Sequence, residues 1–261
     1  MNKIKSSKKE LSELLLKINH YGYSKGVNQF LKNNSEYEYR FSKMEGNIAF
    51  RVTNKNNARC LVINSDLGNI PESISEIYDE VYSLETDKEK NLIQKFRFKE
   101  KNINNIKLIS SDIESLPFHD EYFDLVIIDG IKINKKQIKS SKIIIKIFKE
   151  INRVLSPNGC LCAGLHNKYG LNIFKNKKDQ FLFSNSFNGY KSLFNSIGFK
   201  VKSYWVLPSH KKPHHSGEID NAVSLKWFFQ NFDKTFSVDK KFKIIGMFLK
   251  IFNSTTRKLL V

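Results

Sequence analysis

The sequence predicts an α/β protein built on a doubly wound, mostly parallel sheet. From residue 58 onward, short apolar runs alternate with stretches in which apolar residues recur at helical spacing. Strands that alternate with helices are typical of a parallel sheet with helices on both faces. The 261 residues, 40% of them hydrophobic, suffice for one substantial domain. We expect this domain at residues 58–225, with additions at both ends.

Residues 1–57 are predicted to form a helical and hairpin extension. Helical periodicity on both sides of Tyr21-Gly22-Tyr23 indicates two short helices with a break between them. Residues 36–53 alternate well enough between apolar and polar side chains to predict a small hairpin.

In the main domain, each predicted strand is short and each predicted helix has an apolar face. Thr86 and Glu89 form a capping box at the start of a helix whose apolar face is Leu92, Ile93 and Phe96. The strands are predicted at 59–63, 80–84, 106–109, 123–128, 160–165 and 199–206. Other helices are predicted at 71–78, 144–155 and 187–197, with a turn at 156–159.

The net charge of +18 raises the question of nucleic-acid binding. Only six of the 44 basic residues are arginine, the usual residue for planar phosphate and base recognition. Residues 1–57 and 226–261 each carry +6, as much as the far longer segment 58–225. Nucleic acid is therefore a partner that the charge permits but the composition does not favour.

The three cysteines lie in apolar, strand-like runs and do not form a disulfide framework. Cys160-x-Cys162 is too short for the usual zinc spacing, so no metal is expected. The first residues lack the apolar core of a secretory signal, and no apolar run is long enough to span a membrane. A cytoplasmic location is therefore expected.

Polar residues follow the first two predicted strands, at the edge where doubly wound sheets bind ligands. In Asn64-Ser65-Asp66-Leu67-Gly68-Asn69 only one glycine remains, and Asp66 would repel a pyrophosphate, which disfavours NAD and FAD. The loop is equally well read as a plain polar connection. Glu85 ends the second strand, where it is suited either to ribose hydroxyls or to the start of the next helix.

Two longer motifs resemble those of class I S-adenosylmethionine (SAM)-dependent methyltransferases. Residues 112–126, DIESLPFHDEYFDLV, resemble their D-x-x-x-L-P-F-x-D-x-x-F-D-L-V pattern, and RVLSPNG at 153–159 resembles their R-V-L-K-P-G-G. The resemblance covers roughly residues 58–206. It implies a seven-stranded, Rossmann-like methyltransferase fold and SAM as the cofactor.

The resemblance also implies roles for individual residues. Glu85 would hold the ribose and Asp112 the adenine amino group, with Ile113 packed on the ring. The loop with Asp66 and Gly68 would hold the methionine part, and Asp129 with Gly130 would line the pocket. The family's acidic residue in the first strand is Val62 here, and its first two glycines are Asn64 and Asp66.

The substrate contacts are predicted just after the fifth strand. His166-Asn167-Lys168-Tyr169-Gly170-Leu171 resembles the E-N-R-x-G-L segment of a methyltransferase subgroup associated with surface-glycan assembly, with His166 in place of its glutamate. A histidine can act as a base, and an amide or phenol can orient a hydroxyl acceptor. We therefore expect His166, Asn167 and Tyr169 to carry catalysis, although Asn167 and Gly170 are equally consistent with a simple turn.

The function expected is SAM-dependent methyl transfer to a small molecule or a glycan. A non-catalytic binding or scaffold module is the first alternative, and an RNA methyltransferase is the second. Residues 240–252 have a wide apolar face with lysines beside it, suited to packing on the domain or to peripheral contact with an anionic membrane. The sequence leaves the oligomeric state open.

Overall fold

The structure, a computed structural model, describes residues 2–41, 58–130, 141–167, 184–209, 212–224 and 226–227. It divides into two compact units. The first comprises Met1–Gly130 and Lys146–Gly164, and the second comprises Ile131–Ile145 and Leu165–Val261.

A five-stranded sheet forms the centre of the first unit. All neighbouring strands are parallel, in the order β3-β2-β1-β4-β5. The order changes direction between β1 and β4, as in a doubly wound sheet. The predicted α/β fold is thus confirmed, while the count of seven strands stays a prediction. The strands are β1 (Arg59–Ile63), β2 (Glu80–Leu84), β3 (Ile106–Ile109), β4 (Phe123–Asp129) and β5 (Leu155–Gly164).

The central strand is buried on both faces, which explains its unbroken apolar sequence. Residues 60–63 of β1 are fully buried, and Leu125, Val126 and Ile128 of β4 are too. The predicted turn at 156–159 lies within β5 as an irregularity, since Leu155 pairs with Phe123 but Cys160 already pairs with Leu125.

Helices of the first unit flank this sheet. They are α1 (Asn2–Tyr21), α2 (Tyr23–Leu31), α3 (Asn69–Ile74), α4 (Lys88–Glu100) and most of α5 (Ser141–Val154), which begins in the second unit. The predicted break at Gly22 is confirmed, because this residue has a left-handed φ of 82° between α1 and α2. The predicted hairpin is wrong for residues 36–41, which lie in a 3-10 helix (Ser35–Phe41), and residues 42–53 are outside the described range.

Three predicted helix details are also wrong. Helix α3 begins ahead of Pro71 and ends at Ile74, before residue 78. The N-cap of α4 is Asp87, whose carboxylate accepts from the amides of Glu89 and Lys90, so Thr86 is not the capping residue. Leu92 of this helix is 40% exposed and does not belong to its buried face.

Helices α1 and α2 form one hydrophobic cluster with residues next to the central sheet. Residues from both helices pack together with Leu67, which follows β1, and Ile93 of α4. Glu100 at the end of α4 accepts hydrogen bonds from the amides of Tyr23 and Ser24, at 2.6 and 2.9 Å, and so caps α2. The amino-terminal residues thus help to build the layer that carries the candidate site.

The described residues of the second unit after Gly164 form a short helix and two small sheets. Its elements are β6 (His166–Asn167), β7 (Ser184–Asn185), α6 (Phe187–Ile197), β8 (Tyr204–Ser209) and β9 (Lys212–Glu218). Strands β6 and β7 are parallel, and β8 and β9 form an antiparallel hairpin. The predicted strand at 199–206 therefore starts too early. The predicted helix at 240–252 lies outside the described residues. None of the helices described here is both long and apolar enough to cross a membrane.

Candidate cofactor site

The candidate site lies in the first unit, at the carboxyl edge of the sheet. The residues following β3, β2, β1 and β4 come next to one another there because these strands are parallel neighbours. The residues predicted from the sequence at these four positions are Asp112, Glu85, Asp66 with Gly68, and Asp129. The strand order therefore brings them into one row.

The loop after β1 has three residues with left-handed backbone angles, although two of them are not glycine. Asn64, Asp66 and Gly68 have left-handed φ angles of 58°, 50° and 87°. Asn and Asp tolerate this region better than other non-glycine residues, because their short polar side chains can bond locally. The substitutions thus add side chains to the loop while its backbone still takes left-handed turns at all three positions.

The side chain of Asn64 fastens the loop to the neighbouring strand end. Its amide Nδ2 donates to the carbonyl oxygen of Gly130 at 2.7 Å. Gly68 instead serves packing, because a Cβ there would lie 2.8 Å from Cζ of Phe98 and 3.0 Å from Cγ of Gln94. Its lack of a side chain lets α4 approach the loop.

Asp66 stands at the centre of a charged cluster. Its carboxylate accepts from Nε and Nη2 of Arg40, at 3.0 and 2.8 Å, and pairs with Nζ of Lys90 at 2.7 Å. Burial alone would raise the pKa of Asp66, but these two cations outweigh burial and hold the pKa well below its usual range. Asp66 is therefore charged at neutral pH.

Glu85 is 4% exposed and directly follows β2, next to Asp66. Its carboxylate accepts from the amide of Asp66 at 3.1 Å and from the amide of Asp87 at 3.2 Å. Lys90 lies 3.6 Å from the same carboxylate and so connects Glu85 to Asp66. Burial would lower the pKa of Lys90, but the neighbouring carboxylates raise it above the ordinary value. The contact with the amide of Asp87 supports the reading of Glu85 at the start of α4, and its role toward a ribose stays a prediction.

Two amide side chains of α4 fix the loop and the end of β2. Gln94, fully buried, donates to the carbonyl of Asp66 at 2.9 Å and to Oγ of Ser65 at 3.0 Å. Asn91 donates through Nδ2 to the carbonyl of Glu85 at 2.6 Å. Its Oδ1 is buried and has no hydrogen-bond partner within the described part of the chain. The two amide side chains thus hold the β1 loop and the residue after β2 in place.

Asp112 and Ile113 follow β3 in a loop without helix. Asp112 is exposed and accepts the amide of Glu114 at 3.0 Å, while Ile113 is half-buried. The two sequence motifs meet at this loop, because Arg153 donates to the carbonyls of Leu116 and Phe118 at 3.1 and 2.9 Å. The arginine of the second motif therefore holds the L-P-F turn of the first.

The remaining predicted residues lie at or after the ends of β4 and β5 in the sequence. Asp129 ends β4 half-buried at the same edge, next to Gly130, whose amide donates to the carbonyl of Gly164 at 2.8 Å. His166 and Asn167 form β6 in the second unit, paired with Ser184 and Asn185. Tyr169 lies outside the described residues. The catalytic assignment of these three therefore stays a prediction.

Four residues of this site, Arg40, Lys90, Asn91 and Gln94, were not predicted from the sequence. Lys90, Asn91 and Gln94 had a usable signal, since polar residues in the first turns of a helix after β2 lie over the neighbouring loop. Arg40 had none, because it lies 26 residues before Asp66 in a segment predicted as a hairpin.

A family model described as a methyltransferase domain matches residues 74–205, about half of the chain. The chain belongs to the class I SAM-dependent methyltransferases. This domain is 31% identical over 147 residues to a demethylmenaquinone methyltransferase of Staphylococcus saprophyticus, a match covering 45% of this chain and 60% of the relative. The chain thus spans less than two thirds of that curated relative.

Solved methyltransferase structures have the same fold at low sequence identity. A SAM-dependent methyltransferase from Thermotoga maritima is 16% identical with a TM-score of 0.51, covering 73% of this chain and 90% of the other. A chain in the complex of the Haloferax volcanii Trm112 methyltransferase activator with a methyltransferase is 14% identical with a TM-score of 0.53, covering 67% and 75%.

SAM is the cofactor of this methyltransferase domain, and the residues at the edge fit it. The exposed carboxylate of Asp112, the half-buried side chain of Ile113 and the carboxylate of Glu85 are of the chemical types that suit an adenosine group with its amino and hydroxyl donors.

Proposed function

We propose that this domain transfers the methyl group of SAM to a small-molecule or glycan-type acceptor. The observation that carries the proposal is the row of Asp112, Glu85 and the left-handed β1 loop along one sheet edge in a member of this family. Bound SAM supplies an electrophilic methyl group on a cationic sulfur. Transfer then depends mainly on holding the acceptor in line with that methyl.

The chain's own residues would bind and orient the reactants. Asp112 and Ile113 would hold the adenine, Glu85 would accept from the ribose, and Asp129 would line the pocket. His166, Asn167 and Tyr169 are proposed to bind the acceptor, with His166 as a base, on their position in the sequence after β5 alone. Substituting Asn167 and Tyr169 by Ala and Phe should then lower turnover while leaving SAM affinity unchanged within about threefold.

The nature of the acceptor rests on two resemblances that favour different small molecules. The segment 166–171 supports a glycan, and the Staphylococcus relative is named for a quinone substrate. Transfer of label from methyl-tritiated SAM to a demethylmenaquinone, to a cell-envelope glycan fraction and to total RNA would separate these classes. Label in RNA alone would contradict the small-molecule proposal.

The alternative of a non-catalytic module is supported by the side chains added to the β1 loop. Asn64 and Asp66 occupy space that two glycines would leave open, and Arg40 and Lys90 close on Asp66. Titration calorimetry with SAM and S-adenosylhomocysteine separates the alternatives at the first step. Absence of binding at millimolar ligand would favour the scaffold function.

Asp112→Ala is the variant that tests the adenosine site with least risk to the fold. Its carboxylate is exposed, so we expect little change in unfolding free energy, but S-adenosylhomocysteine binding should weaken by about 1–3 kcal/mol through loss of a charge-assisted hydrogen bond. Asp120→Ala is the matched control, because Asp120 is also exposed but pairs with Arg153. Equal affinities of the two variants would contradict the role of Asp112.

We further propose a cytoplasmic location, supported by the three free cysteines, of which Cys60 is buried and Cys162 half-buried. Sedimentation with lipid vesicles tests peripheral membrane contact through residues 240–252. Light scattering tests whether the chain forms a homo-oligomer. Vesicles should be anionic, since the segment is basic.

A further inference from the structure

The loop between β3 and β4 carries Asp112 and holds it through local hydrogen bonds. The carboxylate of Asp112 accepts from the amide of Glu114 at 3.0 Å, and its carbonyl oxygen accepts from the amide of Ser115 at 3.4 Å. Among the described residues these are its hydrogen-bond partners, and both belong to the same loop. The position of Asp112 therefore depends on how the rest of the loop is held.

Helix α5 holds the following part of the loop by its backbone. The carboxylate of Glu150 accepts from the amide of Leu116 at 2.8 Å. Arg153 donates through Nη2 to the carbonyl oxygen of Leu116 at 3.1 Å and through Nη1 to that of Phe118 at 2.9 Å. Its own carbonyl oxygen accepts from the amide of Glu121 at 2.9 Å. Two residues of one helix thus bind the loop backbone at three positions.

The two residues of α5 also hold each other. Arg153 donates through Nη2 to Oε1 of Glu150 at 2.7 Å and through Nε to Oε2 at 3.0 Å. Hydrogen bonds from Arg153 hold the pKa of Glu150 below its ordinary value, so Glu150 is charged at neutral pH. Charge-assisted bonds in this forked geometry are stronger than bonds between neutral groups. The groups that bind the loop are therefore fixed themselves.

The side chains at the same loop positions are packed as well. Leu116 is 4% exposed, and the ring centre of Phe118 lies 4.8 Å from that of Phe123 and 5.4 Å from that of Tyr82. The loop is thus fixed at its start by β3 and in its later half by α5 and this packing. Asp112 lies between the two fixed parts.

Resting on the proposed function, in which Asp112 accepts from the adenine amino group, we propose that Arg153 and Glu150 are positioning residues that give the site its selectivity for adenine. Neither residue touches the cofactor in this arrangement. Their contacts fix the backbone that carries Asp112, so its carboxylate cannot retreat from an unsuitable base. A fixed carboxylate accepts from the amino group of adenine and repels the oxygen that hypoxanthine has at the same place. A carboxylate that could move away would tolerate both bases.

Calorimetry with two ligands measures this selectivity. S-adenosylhomocysteine is compared with S-inosylhomocysteine, in which an oxygen replaces the adenine amino group. The wild-type chain should prefer S-adenosylhomocysteine, and Asp112→Ala should lower the ratio of the two affinities roughly 5- to 150-fold, the loss of a charge-assisted hydrogen bond. Arg153→Met removes the donors to Leu116 and Phe118 and should lower the same ratio about threefold or more. An unfolded fraction weakens the binding of both ligands alike, so the ratio is insensitive to loss of stability.

A double variant shows whether Arg153 acts through Asp112. In an Asp112→Ala background no carboxylate is left to position, so adding Arg153→Met should change the ratio by less than about twofold. Glu150→Leu removes the acceptor of the Leu116 amide and should behave like Arg153→Met in both backgrounds. Arg153→Lys keeps the charge but loses the forked geometry, so its ratio should fall between those of the wild type and Arg153→Met.

Variants at two exposed ion pairs of the same loop are matched controls. Lys146→Met removes a cation of α5 that pairs with the side chain of Glu114, and Asp120→Ala removes a carboxylate that pairs with Arg153. Neither change removes a bond to the loop backbone, and exposed pairs contribute little. Both variants should keep the ratio within about twofold of the wild type.

The outcomes separate this proposal from the proposed function. A ratio that Asp112→Ala lowers but Arg153→Met leaves unchanged or raises would overturn the positioning role and leave the adenosine site standing. An equal effect of Arg153→Met with and without Asp112 would do the same, because Arg153 would then act by another route. Equal affinities of the wild type for the two ligands, or a ratio that Asp112→Ala does not change, would overturn the role of Asp112 together with its positioning. Binding of neither ligand would overturn the proposed function itself.

Discussion

Arg97 is a fully buried cation whose partners are all supplied by neighbouring elements of the first unit. Its Nε donates to Glu72 at 2.5 Å and its Nη1 to the carbonyl of Leu67 at 3.0 Å, with Asn69 as a further acceptor. Lys101 pairs with the other oxygen of Glu72 at 2.6 Å. This network joins α3 to α4 directly beneath the loop that carries Asp66.

Removing one partner of this pair should destabilise the domain strongly. Glu72→Gln leaves Arg97 buried without its counter-charge, so we expect a loss of about 3–5 kcal/mol in unfolding free energy, measured by denaturant titration. The pair of Lys146 and Glu114, whose side chains are 61% and 26% exposed, is the control, and Glu114→Gln should cost less than about 1 kcal/mol. Similar losses in the two variants would contradict the role assigned to burial.

The same pair predicts the direction of a pH dependence. Burial would raise the pKa of Glu72, but Arg97 and Lys101 outweigh it and hold the pKa below its usual value. A carboxylate with a depressed folded-state pKa stabilises the fold above its unfolded pKa of about 4.3, and this stabilisation is lost as the pH falls through the folded value. The stability difference between wild type and Glu72→Gln should thus be constant near neutrality and shrink below about pH 4.

Residue-scale features were predictable from the sequence only where they follow a strand. Glu85, Asp112 and Asp129 follow predicted strands, and the parallel sheet places all three at one edge. Arg40 has no such marker, because its contact with Asp66 depends on how a separate segment folds back over the sheet. The left-handed backbone at Asn64 and Asp66 was likewise hidden, since neither residue requires it.

At the scale of single elements, the α1–α2 hairpin depends on close approach of two backbones. A Cβ added to Gly26 of α2 would lie 2.6 Å from both Cα and N of Ile18 in α1. Backbone atoms cannot rotate away as a side chain would, so the helices must separate. Gly26 is therefore the residue that sets the distance between α1 and α2.

Gly26→Ala should destabilise the hairpin by about 1–3 kcal/mol, although alanine favours helix by about 1 kcal/mol over glycine. Hydrogen exchange of α1 and α2 amides measures this directly. Gly198→Ala is a useful contrast, because its φ is +102° but nothing lies within 4 Å of the added Cβ. It should loosen only the end of α6, through backbone strain of about 1–2 kcal/mol. Unchanged exchange in Gly26→Ala would contradict the close-packing argument.

Element boundaries were harder to predict than element types. The Thr86 and Glu89 spacing satisfied the capping-box pattern, but Asp87 takes the cap because its carboxylate reaches two amides of the first turn. Residues 36–41 alternate as a strand would, yet they form a 3-10 helix against α2. Predictions from local patterns were correct where burial and periodicity agreed. They were wrong where a neighbouring polar side chain determined the helix cap or a tertiary contact determined the secondary structure.

At the scale of the whole molecule, the repeated change of period predicted the sheet, whereas the contribution of the amino-terminal residues was not visible. Leu67 and Ile93 share a hydrophobic cluster with α1 and α2, and Arg40 follows those helices. The sequence of an amphipathic helix indicates which face is buried, but it does not indicate which other elements that face packs against. The sequence therefore predicted the edge of the sheet at which the cofactor site lies, but not all of the residues that form it.

The net charge of +18 belongs to the whole chain and bears on the RNA alternative. The salt dependence of RNA binding and its coupling to the cofactor distinguish that alternative from the small-molecule function. Lysine-rich surfaces bind polyanions by releasing counterions, so the logarithm of the binding constant falls linearly with the logarithm of the salt concentration. We expect a mixed-sequence single-stranded RNA to bind at about 50 mM salt and to be released at about 200 mM. Saturating RNA should leave the affinity for S-adenosylhomocysteine within about threefold, because a polyanion bound non-specifically does not interact with the sheet edge.

An RNA methyltransferase would instead hold one RNA in preference to others at the higher salt, and its RNA and cofactor affinities would be coupled. Fluorescence anisotropy across the two salt concentrations, with and without the cofactor product, measures both quantities. A coupled, sequence-selective result would make RNA the substrate and contradict the small-molecule proposal.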